Sequence, residues 1–277
     1  MTRKRDKISL WRDSSLPDGL ELLRASFFDY RYPAHFHEEF VIAAFARGAQ
    51  RHRIAGREGV AGAGSILIIP PGEVQTGEAA ERDRGWDYCA FYPSARFLES
   101  IADDVLGGTG HLDFGVDPIL GDTVATRHLL RAHAVIASTP DRMEKECAAY
   151  DGFGAIIARY GQRSRNGRPS RIARADMRRA IDYLQTHFAE PVAVGEVAAV
   201  AGLSEYHFMR VFRANTGLSV HRYLTQIRLN RAKSLLSCGV SSAEAAVSVG
   251  LFDQSHLIRH FRQYFGATPG DYAAASR

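Results

Sequence analysis

The apolar positions of this chain change their spacing about midway along it. Phe40 to Ala46, Ser65 to Ile69 and Trp86 to Tyr92 are short apolar or aromatic runs, separated by turn-forming stretches such as Arg47-Gly48, Gly62-Ala63-Gly64 and Pro70-Pro71-Gly72. Runs of that length between Gly and Pro predict the strands of an all-β domain. From Thr123 to Ser138 and from Arg142 to Ile157 the apolar residues recur at three and four spacing, which predicts two helices. Residues 159–170 then combine Gly, Pro, Ser and Asn with four arginines and almost no apolar side chain, which predicts an exposed linker. Beyond it the pattern is helical to the end, with Gly or Pro only where helices are expected to stop.

The helical half contains an internal repeat. Ala198, Gly202 and Leu203 recur 48 positions later as Ala246, Gly250 and Leu251, and Arg210, Phe212, Gly217 and Tyr223 recur 49 positions later as Arg259, Phe261, Gly266 and Tyr272. The second copy therefore carries one extra residue between its Gly and its Arg. Each copy has the layout of a helix-turn-helix. In the first, Val194 to Ala201 predicts a short helix ended by Gly202, and Ser204 is placed to cap a second helix from Glu205 to Thr216. Phe208, Val211 and Phe212 share one face of that helix, leaving Tyr206, Met209, Arg210 and Arg213 toward the other. In the second, Glu244 to Val249 leads to Gly250, and Asp253 caps a helix that turns Gln254, Ser255, His256 and Arg259 outward and Leu257 and Phe261 inward. An exposed Arg and Tyr near the start of a second helix is the arrangement that reaches base edges in a major groove. Ser219 to Ser237 predicts a connecting helix about 28 Å long at 1.5 Å per residue. Its Arg222, Arg228, Arg231 and Lys233 are suited to phosphates.

Charge follows the same division. Residues 1–158 carry 18 Lys/Arg against 23 Asp/Glu, whereas residues 159–277 carry 17 against 8. A cationic module joined to a mildly acidic one is what a nucleic-acid reader with a separate sensing domain shows. Apolar residues make up 45% of the 277 and charged residues 24%, the composition of a globular protein with two cores. No apolar run approaches the roughly 20 residues that span a bilayer, so the chain is expected in the cytoplasm with no membrane partner. Cys89, Cys147 and Cys238 have no CxxC or Cys/His spacing and are expected to be buried thiols. No Ser/His/Asp nucleophile grouping, phosphate-cradling Gly loop or carboxylate pair is legible, so no catalytic residues are expected.

Residues from about Arg171 to the C-terminus resemble the AraC family of transcription regulators. The motif Gly250-Leu-Phe-Asp-Gln-Ser-His-Leu-Ile-Arg-His-Phe261, followed by Phe265-Gly-Ala-Thr-Pro-Gly270, is similar to the signature of that family. The resemblance implies base contacts from Tyr206, Met209 and Arg210 in the first copy and from Gln254, Ser255, His256 and Arg259 in the second. One departure is Leu251, where the family usually has Phe, with Phe252 expected to compensate in the core. The N-terminal part is similar to the family's cupin-like ligand-binding domain through His35-Phe-His37 and Gly64-Ser-Ile-Leu-Ile-Ile-Pro-Pro-Gly-Glu-Val-Gln75. Cupin enzymes ligate a metal with the HxH pair, a Glu and a later His, but here Val41 and Ile42 stand where the Glu falls and Gln75 replaces the last His. A metal-free barrel without cofactor is therefore expected.

The expected architecture is an N-terminal all-β cupin-like barrel with a helical dimerisation segment over residues 1–158, a linker over 159–170, and an all-α double helix-turn-helix domain over 171–277. His35 and His37 are expected to share a face of one strand, with Glu73, Gln75, Trp86 and Tyr88 as further ligand-binding candidates within aromatic walls. The expected function is a sequence-specific regulator of double-stranded DNA, a ligand-responsive activator sensing a small metabolite. Its helices between about 122 and 158 are expected to pair two subunits, and the family resemblance implies RNA polymerase as a partner. Two alternatives remain open at this point: a cupin-type metalloenzyme domain fused to a DNA-binding tail, and an N-terminal domain that binds a protein partner.

Overall fold

The computed structural model describes residues 6–81, 83–115, 117–164 and 175–276. The chain divides into two compact units, the first built mainly from residues 1–168 and the second mainly from residues 169–274.

The first unit is β-rich. Its strands up to the first helix are β1 (Lys7–Asp13), β2 (Leu20–Phe27), β3 (Arg31–His35), β4 (Val41–Ile54), β5 (Arg57–Gly62), β6 (Ser65–Ile69), β7 (Gln75–Ala79) and β8 (Trp86–Tyr92). After α1 (Ala95–Leu106) come β9 (His111–Asp113) and β10 (Ile119–Gly121), then α2 (Thr123–Ser138), α3 (Arg142–Tyr160) and β11 (Gln162–Ser164). The main sheet runs β1-β2-β8-β4-β6-β10, and β4 also carries β5 and β7, with β3 on the far side of β7. Among the described residues these ladders do not close into a ring.

β4 is the strand that joins the two parts of this sheet. Its first residues pair with β6 and β8, while Ala49 to Ile54 pair with β5 and Gln50 to Ile54 with β7. A register shift between Phe45 and Arg47 separates the two stretches, and a bulge of this kind bends a strand and sharpens its twist. The apolar run Val41 to Phe45 and all five residues of β6 are buried, because this part of the sheet is covered on both faces. One face, with Leu22, Ile42, Ala44, Ile66, Ile68, Cys89 and Phe91, forms a core with Phe97, Leu98 and Ile101 of α1, Leu129 of α2, and Phe153, Ile156 and Ile157 of α3. Phe91 and Phe153 meet edge to face at 5.3 Å.

The expected linker begins later than the composition suggested. Arg159 and Tyr160 close α3, and Gln162–Ser164 pair antiparallel with His111–Asp113, where Arg163 bonds Glu99 at 2.7 Å and the carbonyl of Gly107 at 3.1 Å. The arginines that read as solvated include one held by partners in α1. Residues 165–170 lie outside the described residues. Of the cysteines only Cys89 is buried; Cys147, on the outward side of α3, and Cys238, at the C-terminal cap of a later helix, are exposed, which corrects the expectation of three buried thiols.

The described part of the second unit is helical. It comprises α4 (Ala175–Thr186), α5 (Val194–Ala201), α6 (Glu205–Thr216), α7 (Val220–Ser237), α8 (Ser242–Ser248), α9 (Gln254–Phe265) and α10 (Pro269–Ala275). α4 buries Met177, Ala180, Ile181 and Leu184, the i, i+3, i+4, i+7 stripe of a helix with one apolar face, and packs on α5. α7 buries Tyr223, Leu224, Ile227, Leu229, Ala232 and Leu236, a wide stripe that suits a helix packed by neighbours on several sides.

Candidate functional site

The two copies of the sequence repeat fold alike. α5 ends at Gly202 in the left-handed region (φ 71°, ψ 31°), and the Leu203 amide donates to the Ala198 carbonyl at 3.0 Å. In the second copy Gly250 has φ 75°, and the Leu251 amide donates to the Ala246 carbonyl, again at 3.0 Å. This is the six-to-one bond that closes a helix and redirects the chain. α6 and α9 then run for 12 residues each and end at Gly217 and Gly266, both with φ 77°. Asp253 Oδ1 accepts from the His256 amide at 2.7 Å, capping α9 as expected. Ser204 takes the extended backbone of an N-cap, but its side chain makes no capping bond, which corrects the expectation for that hydroxyl.

Each second helix buries one side and exposes the other. Phe208 and Phe212, and in the second copy Leu257 and Phe261, are fully buried, while Val211 is half-buried. Tyr206, Met209, Arg210 and Arg213 are exposed and border a groove of about 680 Å³ with Ser219 and His221. Gln254, Ser255 and Arg259 are exposed on α9, and His256 is half-buried. All eight residues anticipated as base contacts therefore lie on two equivalent helices, clear of the core. Leu251 fills the family's Phe position by itself at 5% exposure, whereas Phe252 is 90% exposed and takes no part in the core. The extra residue of the second copy lies in this turn, and it moves Phe252 outward.

The connector α7 holds fewer free cations than its sequence suggested. Lys233 is buried with its ammonium 4.8 Å from the Phe265 ring centroid, so it packs inward rather than toward phosphates. Arg228 donates to the carbonyls of Phe188 at 2.7 Å and Glu190 at 2.9 Å. Arg222 and Arg231 remain exposed, with Arg231 lying over the ring of Phe188.

In the first unit the sheet face turned away from the helices carries aromatic and amide side chains. Register places Phe45 opposite Tyr88 and Gly48 opposite Trp86, so Trp86 and Tyr88 share a face with Gly48 and, by alternation, with Gln50 and His52. Trp86 and Tyr88 stack at 6.4 Å, Phe27 lies 5.3 Å from Trp86, and Phe45 stacks on Tyr88 at 5.5 Å. The hydroxyls of Tyr88 and Tyr32 are 2.7 Å apart, and burial pushes both phenols well above their ordinary range. Gln75 begins β7, buried, opposite Ile54.

Two polar atoms on this face have no hydrogen-bond partner among the described residues: Trp86 Nε1, in a side chain with 0% exposure, and His52 Nδ1, in one with 3%. His52 faces glycine on both neighbouring strands, Gly59 and Gly77, and a Cβ at Gly59 would stand 2.7 Å from its Nε2. Burial lowers the His52 imidazole, so it is neutral near pH 7. Of the side chains that meet on this face, Trp86, Tyr88 and Gln75 were candidates from the sequence, whereas Phe27, Tyr32, Phe45, Gln50 and His52 were not. The alternation of Gln50, His52 and Ile54 was the available signal.

The histidine pair departs from expectation. β3 ends at His35, and His37 lies beyond it in the following loop, so the two do not share a strand face. His35 is buried with Nδ1 2.7 Å from the Pro33 carbonyl, and burial lowers its imidazole to about 4. His37 packs on Tyr92 with centroids 4.8 Å apart. Glu73 is half-buried in the loop before β7. Among the described residues no group of three or more His, Cys, Asp or Glu is arranged to hold a metal ion. No described helix is long and apolar enough to cross a membrane.

Comparison with known proteins covers both units. Residues 19–153 match the model of an AraC-like ligand binding domain, and residues 197–275 match a helix-turn-helix domain. The Bacillus subtilis HTH-type transcriptional regulator YbfI is 27% identical over 82% of this chain and 82% of its own. The arabinose operon regulatory protein of Escherichia coli is 26% identical over 85% of this chain and 80% of its own. Among solved structures, Vibrio cholerae ToxT with an unsaturated fatty acid bound shares the fold, with a TM-score of 0.55 over 98% of this chain and 95% of that one at 12% identity.

Proposed function

The chain belongs to the AraC family of transcription regulators, with a ligand-binding N-terminal domain and a helix-turn-helix domain for DNA, and on that premise we propose that α6 and α9 read two successive major grooves of one site. The observation that carries this reading is the equivalence of the two turns, which leaves Arg210 and Arg259 exposed at matching positions of matching helices. α7 is about 27 Å long for its 18 residues, a connector length on the scale of one duplex turn, about 34 Å, which supports this reading. Arg210, Arg259 and Gln254 supply donors in the geometries that recognise guanine and adenine edges. Tyr206, Met209, Arg213, Ser255 and His256 complete the contact, and Arg222 and Arg231 supply phosphate contacts.

The effector site in this reading is the aromatic face of the β-rich unit. A buried indole N–H and a neutral imidazole nitrogen without partners, beside Gln50 and Gln75, suit a small metabolite that both accepts and donates hydrogen bonds. Trp86, Tyr88 and Gln75 line it, and His37 and Glu73 stand at its loops, with His35 at the end of β3. α2 and α3 pair two subunits, the effector changes how the two DNA units are presented, and activation proceeds through RNA polymerase. The domain limits in this reading are residues 1–164 for the sensing unit and 175–276 for the reader.

The test is affinity selection of source-genome fragments by the intact protein at near-physiological salt, beside an Arg210→Ala, Arg259→Ala double variant. The reading requires a bipartite motif that the variant loses. Retention without a motif, or equal selection by the variant, overturns it.

A further inference from the structure

His256 and His260 lie one turn apart on α9, and their imidazoles meet edge to edge. The two Nε2 atoms are 2.8 Å apart, and the ring centroids 4.5 Å. Two bare ring nitrogens repel at that distance, so one Nε2 carries a hydrogen and the other accepts it. Burial lowers both imidazoles, with Arg259 adding to the effect, so the pair is neutral near pH 7 and each ring holds a single N–H.

The other nitrogen of His260 decides the direction. His260 Nδ1 is buried and has no partner among the described residues. If His256 were the donor, His260 would keep its hydrogen on Nδ1, a buried N–H facing no acceptor. If His260 donates from Nε2, its Nδ1 is a bare acceptor, and unpaired buried acceptors are tolerated more readily than unpaired N–H groups. The second arrangement is the stable one. It leaves His256 accepting at Nε2, with its own hydrogen on Nδ1.

The geometry points to His260 as a positioning residue that fixes His256 as the Nδ1–H tautomer and so presents a hydrogen-bond donor to the DNA. This rests on the reading of α9 as a DNA-reading helix. A donor at that position is accepted by guanine N7 or O6, adenine N7 or thymine O4, and it rejects the amino edge of cytosine. The charged and titratable groups around the pair are Asp253 and Arg259 on α9, His221 and Arg228 on α7, and Tyr264, whose ring is 6.4 Å from that of His260. As pH falls and the pair takes up one more proton, both Nε2 atoms become donors, the bond between them breaks, and the orientation of His256 is released.

Two measurements on the full chain test this. Nitrogen-15 spectra of histidine-labelled protein without DNA report which ring nitrogens carry hydrogen. The expected pattern is a protonated Nδ1 on His256 and a protonated Nε2 on His260, and the reverse pattern overturns the proposal whatever the protein binds. DNA selection is then run with wild type, His260→Phe and His260→Gln. Phenylalanine fills the site without a donor, and the discrimination against cytosine at the His256 position should fall about fivefold, the worth of one neutral hydrogen bond. Glutamine, whose amide donates to His256 Nε2, should restore it. Wild-type selection with an unchanged motif in His260→Phe overturns the role of His260. Absence of any motif in wild type instead overturns the DNA reading itself, and the tautomer measurement still decides the hydrogen-bond direction.

Discussion

Gly202 and Gly250 follow equivalent helices of the repeat, with nearly equal φ of 71° and 75°, yet alanine should be far more costly at the second. At either position a side chain must adopt the left-handed region, which costs roughly 1–2 kcal/mol. A Cβ on Gly202 would meet nothing within 4 Å. A Cβ on Gly250 would stand 2.4 Å from the carbonyl oxygen of Ala189 and 2.8 Å from its carbon, a separation that non-bonded atoms do not sustain. The atoms in the way belong to backbone, so relief requires the segment before α5 or the turn before α9 to move, adding about 1–3 kcal/mol as overpacking does. Gly202→Ala should therefore destabilise by about 1–2 kcal/mol and Gly250→Ala by about 2–5 kcal/mol. Urea unfolding of the full chain, followed by far-ultraviolet circular dichroism, compares the two directly. Equal losses, or a larger loss at Gly202, would refute the claim that the second turn is held against residue 189.

Three further outcomes follow from the same geometry. Lys145 Nζ lies 2.6 Å from Asp13 Oδ2 at side-chain exposures of 15% and 9%, so Lys145→Ala strands a buried carboxylate and should cost about 3 kcal/mol in thermal or urea unfolding at pH 7. Burial works to raise the Asp13 carboxyl, but hydrogen bonds from Lys145 and Ser15 outweigh it and hold the group below its ordinary value. The stabilisation is thus complete above the unfolded value near pH 4 and lost as pH falls through the folded one, and the gap between wild type and variant should close in acid. Ser241 accepts from the Glu244 amide at 3.2 Å, and Glu244 returns a contact to the Ser241 amide at 3.2 Å, so Ser241→Ala should destabilise by about 1 kcal/mol and weaken DNA binding through α8. Phe153→Ala, at 1% exposure between Phe91 and Phe97, should cost about 3–5 kcal/mol in unfolding while leaving a folded protein's DNA motif unchanged.

The helical half was the more legible because its signals are local. A stripe at three and four spacing, a Gly at the end and an Asp at the start lie within one helix, and they placed α5, α6 and α9 to within a residue or two. Long-range partners were hidden. Lys233 looked like any surface lysine until the ring of Phe265 was placed beside it, and Phe252 looked like core until Leu251 was seen to occupy that position alone. In the β-rich half β6 and β8 were read correctly as apolar runs, but β4 was cut short at the bulge, beyond which its alternation of Gln50, His52 and Ile54 is half polar. With its second stretch went the aromatic face, whose members come from β2, β3, β4 and β8 and meet only through pairing. α1 went unread as well, and the HxH spacing suggested one strand where the chain leaves β3 at His35.

If one chain places two helices in successive major grooves, binding must depend on the phase between half-sites. Binding of the intact protein is measured on the selected site and on the same site with half a helical turn, about 5 bp, inserted between the halves. The insertion should lower affinity to that of a single half-site, because the second helix then faces the wrong side of the duplex. Equal affinity for both sites would mean that the two helices do not engage the duplex together.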